Sequence, residues 1–387
     1  MKYPGALLAA AFAPGLVWAQ SSVMLFGTVD TAISQQSITW RDPATGQLVK
    51  QSKLSLNTMA NRPSHIGFRG TEDLGGGLAA SFWLEAPVAT DDGSTGIATF
   101  SRRSTLSLSG GFGELRVGRD YTPTSWNDLV FDPFQTLGAG ASAISSVSIG
   151  ATVNNNNYVR ASNTVGYFLP PDLGGFYGHL QYGFSETNRL SGAGPFAEAS
   201  SHKGRYAGAR FGYANGPLNV AISHGSTVPV DTAAADRKVI TTNLGASYDF
   251  GAVALMAELS RVRNRTVLAG FSKRDSFDGA LLGITAPVGA GLLRASLSAV
   301  RYDEGGDAIR GPRPRATKLA LGYVHNLSKR TALYATVARV TNRNDRGYAG
   351  SLASDVSTGY APSDPYFGPG QLPRGATGYD FGISHSF

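Results

Sequence analysis

Residues 293–299 read Leu-Arg-Ala-Ser-Leu-Ser-Ala, with apolar and polar side chains in strict alternation. Successive side chains on a β-strand point to opposite faces, so this stretch has one greasy face and one polar face. The same period of two returns along the chain. Leu244, Ala246, Tyr248 and Phe250 alternate with Asn243, Gly245, Ser247 and Asp249. Val253, Leu255, Ala257 and Leu259 oppose Ala254, Met256, Glu258 and Ser260. Phe176, Leu180, Tyr182 and Phe184 oppose Tyr177, His179, Gln181 and Ser185, and Tyr379, Phe381, Ile383 and Phe387 oppose Asp380, Gly382, Ser384 and Ser386. Sixteen such segments are read, near 22–34, 64–73, 78–86, 99–109, 114–120, 158–169, 176–185, 204–214, 218–225, 239–250, 253–262, 276–286, 292–302, 316–326, 331–341 and 377–387. One segment is a weak signal, and the regular succession is what specifies an all-β chain.

Two architectures share this pattern: a soluble sandwich or barrel with the apolar face inside, and a transmembrane barrel with that face outside against lipid. Three features favour the second. The polar sets carry Asp249, Glu258, Arg294 and Asp380 among mostly small residues, as a wet lumen allows. Aromatics gather at segment ends (Tyr248, Phe250, Tyr302, Tyr323, Tyr379, Phe387), as interfacial girdles require. Connections alternate between tight ones, such as Gly110-Gly111-Phe112-Gly113, and long ones at 35–62, 119–155, 186–203, 226–238, 262–275, 303–315 and 342–375. An even strand number lets the first and last strands meet and close the sheet. Closure matters because an open edge in lipid leaves backbone groups unpaired at several kcal/mol each.

Residues 1–19 have the form of a signal peptide: Lys2, an apolar run from Ala6 to Val17, and Val17-Trp18-Ala19 before the cleavage point. The run is too short to span a bilayer, and Pro4 and Pro14 disfavour a buried helix. Residues 20–387 are then one barrel domain, with no second domain or linker. The chain has 49 Gly and no Cys, so the fold closes without disulfides and has neither cysteine metal sites nor thiol chemistry. The net charge of +7 comes without a dense Lys/Arg run, which argues against nucleic-acid binding. No cofactor or metal is implied.

The sequence resembles the general diffusion porins of Gram-negative outer membranes. The resemblance is carried by Leu25-Phe26-Gly27-Thr28-Val29-Asp30, by Gly67 to Leu78 through the first tight turn, by Ser109-Gly110-Gly111-Phe112-Gly113, by Val117-Gly118-Arg119-Asp120-Tyr121-Thr122-Pro123, and by Phe387. It implies a sixteen-stranded antiparallel transmembrane β-barrel, a homotrimer, and a third extracellular loop folded inward. It also implies Phe387 as a signal to the barrel-insertion machinery, and outer-membrane lipid and lipopolysaccharide as surroundings. Small hydrophilic solutes and ions would be the traffic.

The long loop beyond Tyr121 holds Trp126, Leu129, Val130, Phe131, Phe134 and Leu137, anchors for a packed loop. By resemblance, Asp132 falls where the family carries an acidic residue on this loop, and Asp120 and Asp128 join the same region. The resemblance sets a ladder of basic residues on the facing wall. Arg160 matches one rung. For the next, motif alignment favours Arg102 and alternation with Leu106 and Leu108 favours Arg103, and both stay open. Arg69 alternates with Ile66 and Phe68, so it points inward, and Arg116 is a further inward candidate. His65 stands where the family usually has Arg. A neutral His weakens the ladder and a protonated one restores it. His179 and His224 also read as lumen residues.

The resemblance implies a passive, water-filled channel, and more Arg than Asp or Glu among these candidates predicts that it prefers anions. An outer-membrane enzyme is disfavoured, since no His sits in a Gly-x-Ser-x-Gly, His-Glu-x-x-His or phosphate-loop setting. A substrate-specific barrel would show an aromatic slide along the lumen, and few lumen positions are aromatic. Surface-loop adhesion, through Tyr348, Tyr360, Tyr366 and Phe367, is a separate reading that conduction does not exclude.

Overall fold

The computed structural model describes residues 22–97, 99–150, 153, 155–186, 189–190, 199–200, 202–232, 235–268, 271–305, 312–344, 356 and 372–387. The proposed signal peptide and the aromatic residues of 342–375 named above lie outside these. The first half of the chain forms β1 (Ser22–Arg41), β2 (Leu48–Thr58), β3 (His65–Gly75), β4 (Leu78–Pro87), β5 (Arg103–Gly110) and β6 (Gly113–Tyr121). Two short helices follow, α1 (Pro123–Phe131) and α2 (Ala143–Ile149), then β7 (Arg160–Phe168) and β8 (Phe176–Gly183). A two-residue ribbon, β9 (Arg189–Leu190) and β10 (Ala199–Ser200), stands apart. The second half is β11 (Tyr206–Asn215), β12 (Leu218–Asp231), β13 (Ala235–Asp249), β14 (Ala254–Leu268) and β15 (Phe271–Val288). It ends with β16 (Gly291–Asp303), β17 (Arg315–Asn326), β18 (Thr331–Arg343) and β19 (Leu372–Ser386).

Seventeen strands share one antiparallel sheet. β2 is the added one: it pairs only with the upper half of β1, from Thr31↔Thr58 to Arg41↔Leu48. The other sixteen close the barrel. β1 pairs with β3 from Ser22↔Thr71 to Thr28↔His65, and with β19 from Thr28↔Ser386 to Arg41↔Leu372. Phe387 and Gly27 exchange two backbone hydrogen bonds, 3.1 and 3.2 Å, at this seam. Every wall strand therefore has a hydrogen-bonded neighbour on both sides, the condition for a sheet immersed in hydrocarbon.

The two faces divide as the alternation dictates. Leu106, Leu180, Leu259, Leu282, Leu297, Leu319 and Phe381 point outward and are 48–65% exposed. Thr105, Ser107, His179, Gln181, Asn243, Glu258, Ser296, Asp380 and Ser384 are buried on the opposite face. A soluble barrel would bury the leucines. This one displays them, so the apolar face is the lipid face.

Four expectations change. The span 35–62 is not one long loop: β1 continues to Arg41 and β2 folds back on it as a hairpin. Likewise 226–238 and 262–275 are largely strand, because β12 to β15 rise well beyond the apolar band. Tyr302 is not a girdle residue; it is 1% exposed and stacks on Phe277, 4.5 Å between centroids, inside the wall. His224 lies on the outward face, exposed, and meets Thr242 Oγ1 at 2.8 Å.

Candidate pore-lining site

The segment between β6 and β7 builds one side of the site. Thr122 caps α1 by accepting from the Ser125 amide at 3.3 Å, with Pro123 at the first helical position. Ser142 caps α2 in the same way at 3.2 Å. The two helices lie on the buried polar faces of β11 to β17. Room for them comes from glycines in those faces. A Cβ at Gly245 would strike the Phe131 ring, at Gly279 Ile144, at Gly283 Pro133, and at Gly322 Phe134. Glycine inside a strand marks such close approaches. Above them Ile144 and Val147 of α2 join Val239, Val262, Phe277, Leu281 and Val300 in a dry core.

The acidic residues of this segment are anchors. Asp132 is 1% exposed and accepts from the amides of Phe134, Thr136 and Ser142 at 2.9, 3.1 and 3.0 Å. Burial nonetheless raises its carboxyl above the ordinary range, against those amides and the Lys318 charge. Asp128, also 1% exposed, accepts from Tyr158 Oη and from Asn243 Nδ2. Burial is the main cause that pushes its carboxyl up to about 7; hydrogen bonds with Glu258 and Asn243 oppose this and the Asp132 charge adds to it. Glu258, equally buried, lies beside it. Farther along, Asp380 accepts from the Ala139 amide at 2.7 Å and Ser298 Oγ from the Ala143 amide at 2.9 Å. Side chains of the segment that keep exposure include Trp126, Leu129, Gln135, Leu137 and Ile149.

The basic residues gather on β3 to β7. Arg102 and Arg103 both face inward. Arg102 precedes β5, where alternation does not yet bind it, and its Nε meets Glu85 Oε1 at 2.5 Å. Its Nη2 donates to Tyr121 Oη at 3.1 Å, and Arg160 Nη2 donates to the same oxygen at 2.5 Å with its guanidinium 4.2 Å over the ring. Arg102 and Arg160 line a cleft of about 250 Å³ against Leu129, Leu137 and Ile149. Arg103 instead lies 3.6 Å from Asp120 and 4.5 Å over Trp83. Arg116 binds both Asp120, at 2.6 Å, and Glu114, at 2.8 Å. Arg69, Arg103, Arg116, Trp83 and Glu114 line a second cleft of about 420 Å³. His65 is half-buried and its Nδ1 lies 2.7 Å from the Pro63 carbonyl oxygen.

A family model described as Gram-negative porin matches residues 6–345. The chain belongs to the Gram-negative porin family. It is 37% identical to outer membrane porin protein 32 of Delftia acidovorans, over the whole length of both chains. It is 30% identical to an outer membrane porin protein of Bordetella pertussis, over 85% of this chain and 91% of that one. Among solved structures it matches an anion-selective porin from Comamonas acidovorans with TM-score 0.75 and 34% identity, covering 95% of this chain and 100% of that one. This porin is thus an outer-membrane β-barrel and a passive channel, not an enzyme.

Several lining residues escaped the sequence reading. Arg210 is 7% exposed, donates to Asn127 Oδ1 at 2.9 Å and sits 4.7 Å over Tyr177. Glu85 and Glu114, which pair with the arginines, were also missed. The usable signal was parity: Arg210 shares a face with Gly208 and Gly212, and Glu85 with Trp83.

Proposed function

We propose that this porin is an anion-preferring diffusion channel for small hydrophilic solutes, narrowed where the segment 122–150 folds into the lumen opposite the arginine wall. One observation carries the reading. Arg69, Arg102, Arg103, Arg116 and Arg160 line two clefts of one inner wall, while among the described residues the carboxylates that ion-pair with them are three, Glu85, Glu114 and Asp120. Arg69 and Arg160 are without an ion-paired carboxylate among the described residues. Asp128 and Asp132 offset them only in part, since burial raises both carboxyls and so favours their neutral form. Fixed cations along a wet gap raise the local concentration of anions. The structural match to an anion-selective porin supports the same sign.

Residues 1–19 are read as a cleaved export signal from their own pattern, and Phe387 as an assembly signal and the working unit as a homotrimer by family likeness. The test of the channel reading is the reversal potential in a potassium chloride gradient across a planar bilayer. A potential on the chloride side is expected. A potential on the potassium side contradicts the proposal.

A further inference from the structure

The cleft of about 250 Å³ beside Arg102 and Arg160 has two unlike sides. One is cationic. Both arginines donate to Tyr121 Oη, at 3.1 and 2.5 Å, so a single phenol oxygen holds two guanidiniums together. Arg160 lies over the Tyr121 ring, 4.2 Å from its centroid, and Trp126 braces that ring edge-on at 5.3 Å. Glu85 pairs with Arg102. Arg160 has no ion-paired carboxylate among the described residues, and its Nε is buried without a hydrogen-bond partner.

The other side is apolar. It is built by Leu129 of α1, Leu137 between the helices and Ile149 at the end of α2, with Met59 at the rim beside Arg102. Elsewhere the inward segment hides its apolar groups: Phe131, Phe134, Ile144 and Val147 are 0–3% exposed. Ile149 is 42% exposed, and Leu129 and Leu137 are only half-buried. The segment thus leaves aliphatic side chains open to water directly across from the guanidiniums.

That pairing selects among solutes. A bare inorganic anion gains from the guanidiniums alone, and the aliphatic side offers nothing for the water it sheds. An uncharged apolar molecule gains from the aliphatic side alone. A ring that bears a carboxylate gains from both, since its apolar body leaves water while paired arginine donors match its two oxygens. Ligand pockets of roughly 300–1,000 Å³ have this composition, mostly apolar with a few polar groups that fix orientation. The cleft lies just below that range and suits a single ring. We propose that it is a binding subsite for amphipathic organic monocarboxylates, with the carboxylate on Arg160 and Arg102 and the apolar body on Leu129, Leu137 and Ile149. The inference rests on the channel reading above and adds to it a choice among anions by their apolar part.

The test is single-channel recording on the full-length protein in planar bilayers, with benzoate, acetate or benzyl alcohol added to potassium chloride. Acetate keeps the charge without the ring, and benzyl alcohol keeps the ring without the charge. Benzoate is expected to interrupt the chloride current reversibly at a concentration about tenfold below that required of acetate, the effect of burying part of one ring. Benzyl alcohol is expected to leave the current unbroken. Leu129→Ser/Ile149→Ser should bring benzoate and acetate close to equal potency, and Arg160→Gln should weaken both. Equal potency on the parent channel, no interruption by either acid, or interruption by benzyl alcohol as strong as by benzoate would overturn the subsite, and none of these readings needs a variant. Full benzoate potency in the serine variant would overturn it too. A potassium-side reversal potential in potassium chloride alone would instead remove the channel reading beneath it.

Discussion

At Asp128 a carboxyl is held at about 7, well above its ordinary 3.8, chiefly by burial. A carboxyl raised on folding contributes stability that is complete below its unfolded pKa and is lost as pH rises through the folded one. The loop anchorage should therefore weaken between about pH 4 and 7. Thermal unfolding at intervals from pH 4 to 8 should show a falling midpoint, and Asp128→Asn should flatten that fall. An unchanged slope in the variant would remove Asp128 as the cause. In the proposed channel Arg102 and Arg160 are the side chains that meet ions directly. A unit charge 4 Å from an ion in water is worth about 1 kcal/mol, or roughly fivefold in occupancy. Arg160→Gln is thus expected to lower the chloride-to-potassium permeability ratio severalfold, and adding Arg102→Gln to lower it further, because the Glu85 charge is then left unpaired. Arg102 and Arg103 also show why side-chain direction was only partly legible. Alternation speaks for residues inside a strand, and β5 begins at Arg103, so Arg102 was free to turn inward as well.

The strands of the barrel wall were readable because lipid on one side and polar contacts on the other enforce a period of two. Where that contrast ends, the signal ends. β2 stands above the closed wall, is exposed along most of its length and carries Lys50 and Lys53 among its leucines, so it read as loop. The upper halves of β14 and β15 put arginines where leucines would have marked the outward face, and their strands were drawn too short for the same reason. The helical segment 122–150 was recognisable as packed, from its apolar anchors, but its seat was not. That seat is written in the opposite strands, as Gly245, Gly279, Gly283 and Gly322 at polar-face positions. Filling it should displace the loop. Gly245→Val puts side-chain atoms into the Phe131 ring, and overpacking of this kind costs about 1–3 kcal/mol. A larger single-channel conductance with a lowered thermal midpoint is expected; a parental conductance would mean that the loop does not narrow the pore.

For the molecule as a whole, everything follows from which face of the sheet meets water. Outward leucines displayed at half exposure and inward Ser, Thr, Asn and Arg define a barrel turned inside out relative to a soluble one. The chain has no cysteine, so single cysteines can report each face without background. Thr105 and Ser107 line the second arginine cleft, while Leu106 and Leu108 between and beside them point outward. In a planar bilayer, an anionic, membrane-impermeant thiol reagent should react with Thr105→Cys and Ser107→Cys and lower the current, and should leave Leu106→Cys and Leu108→Cys untouched. Reaction at the leucine positions with silence at 105 and 107 would contradict the enclosed aqueous path.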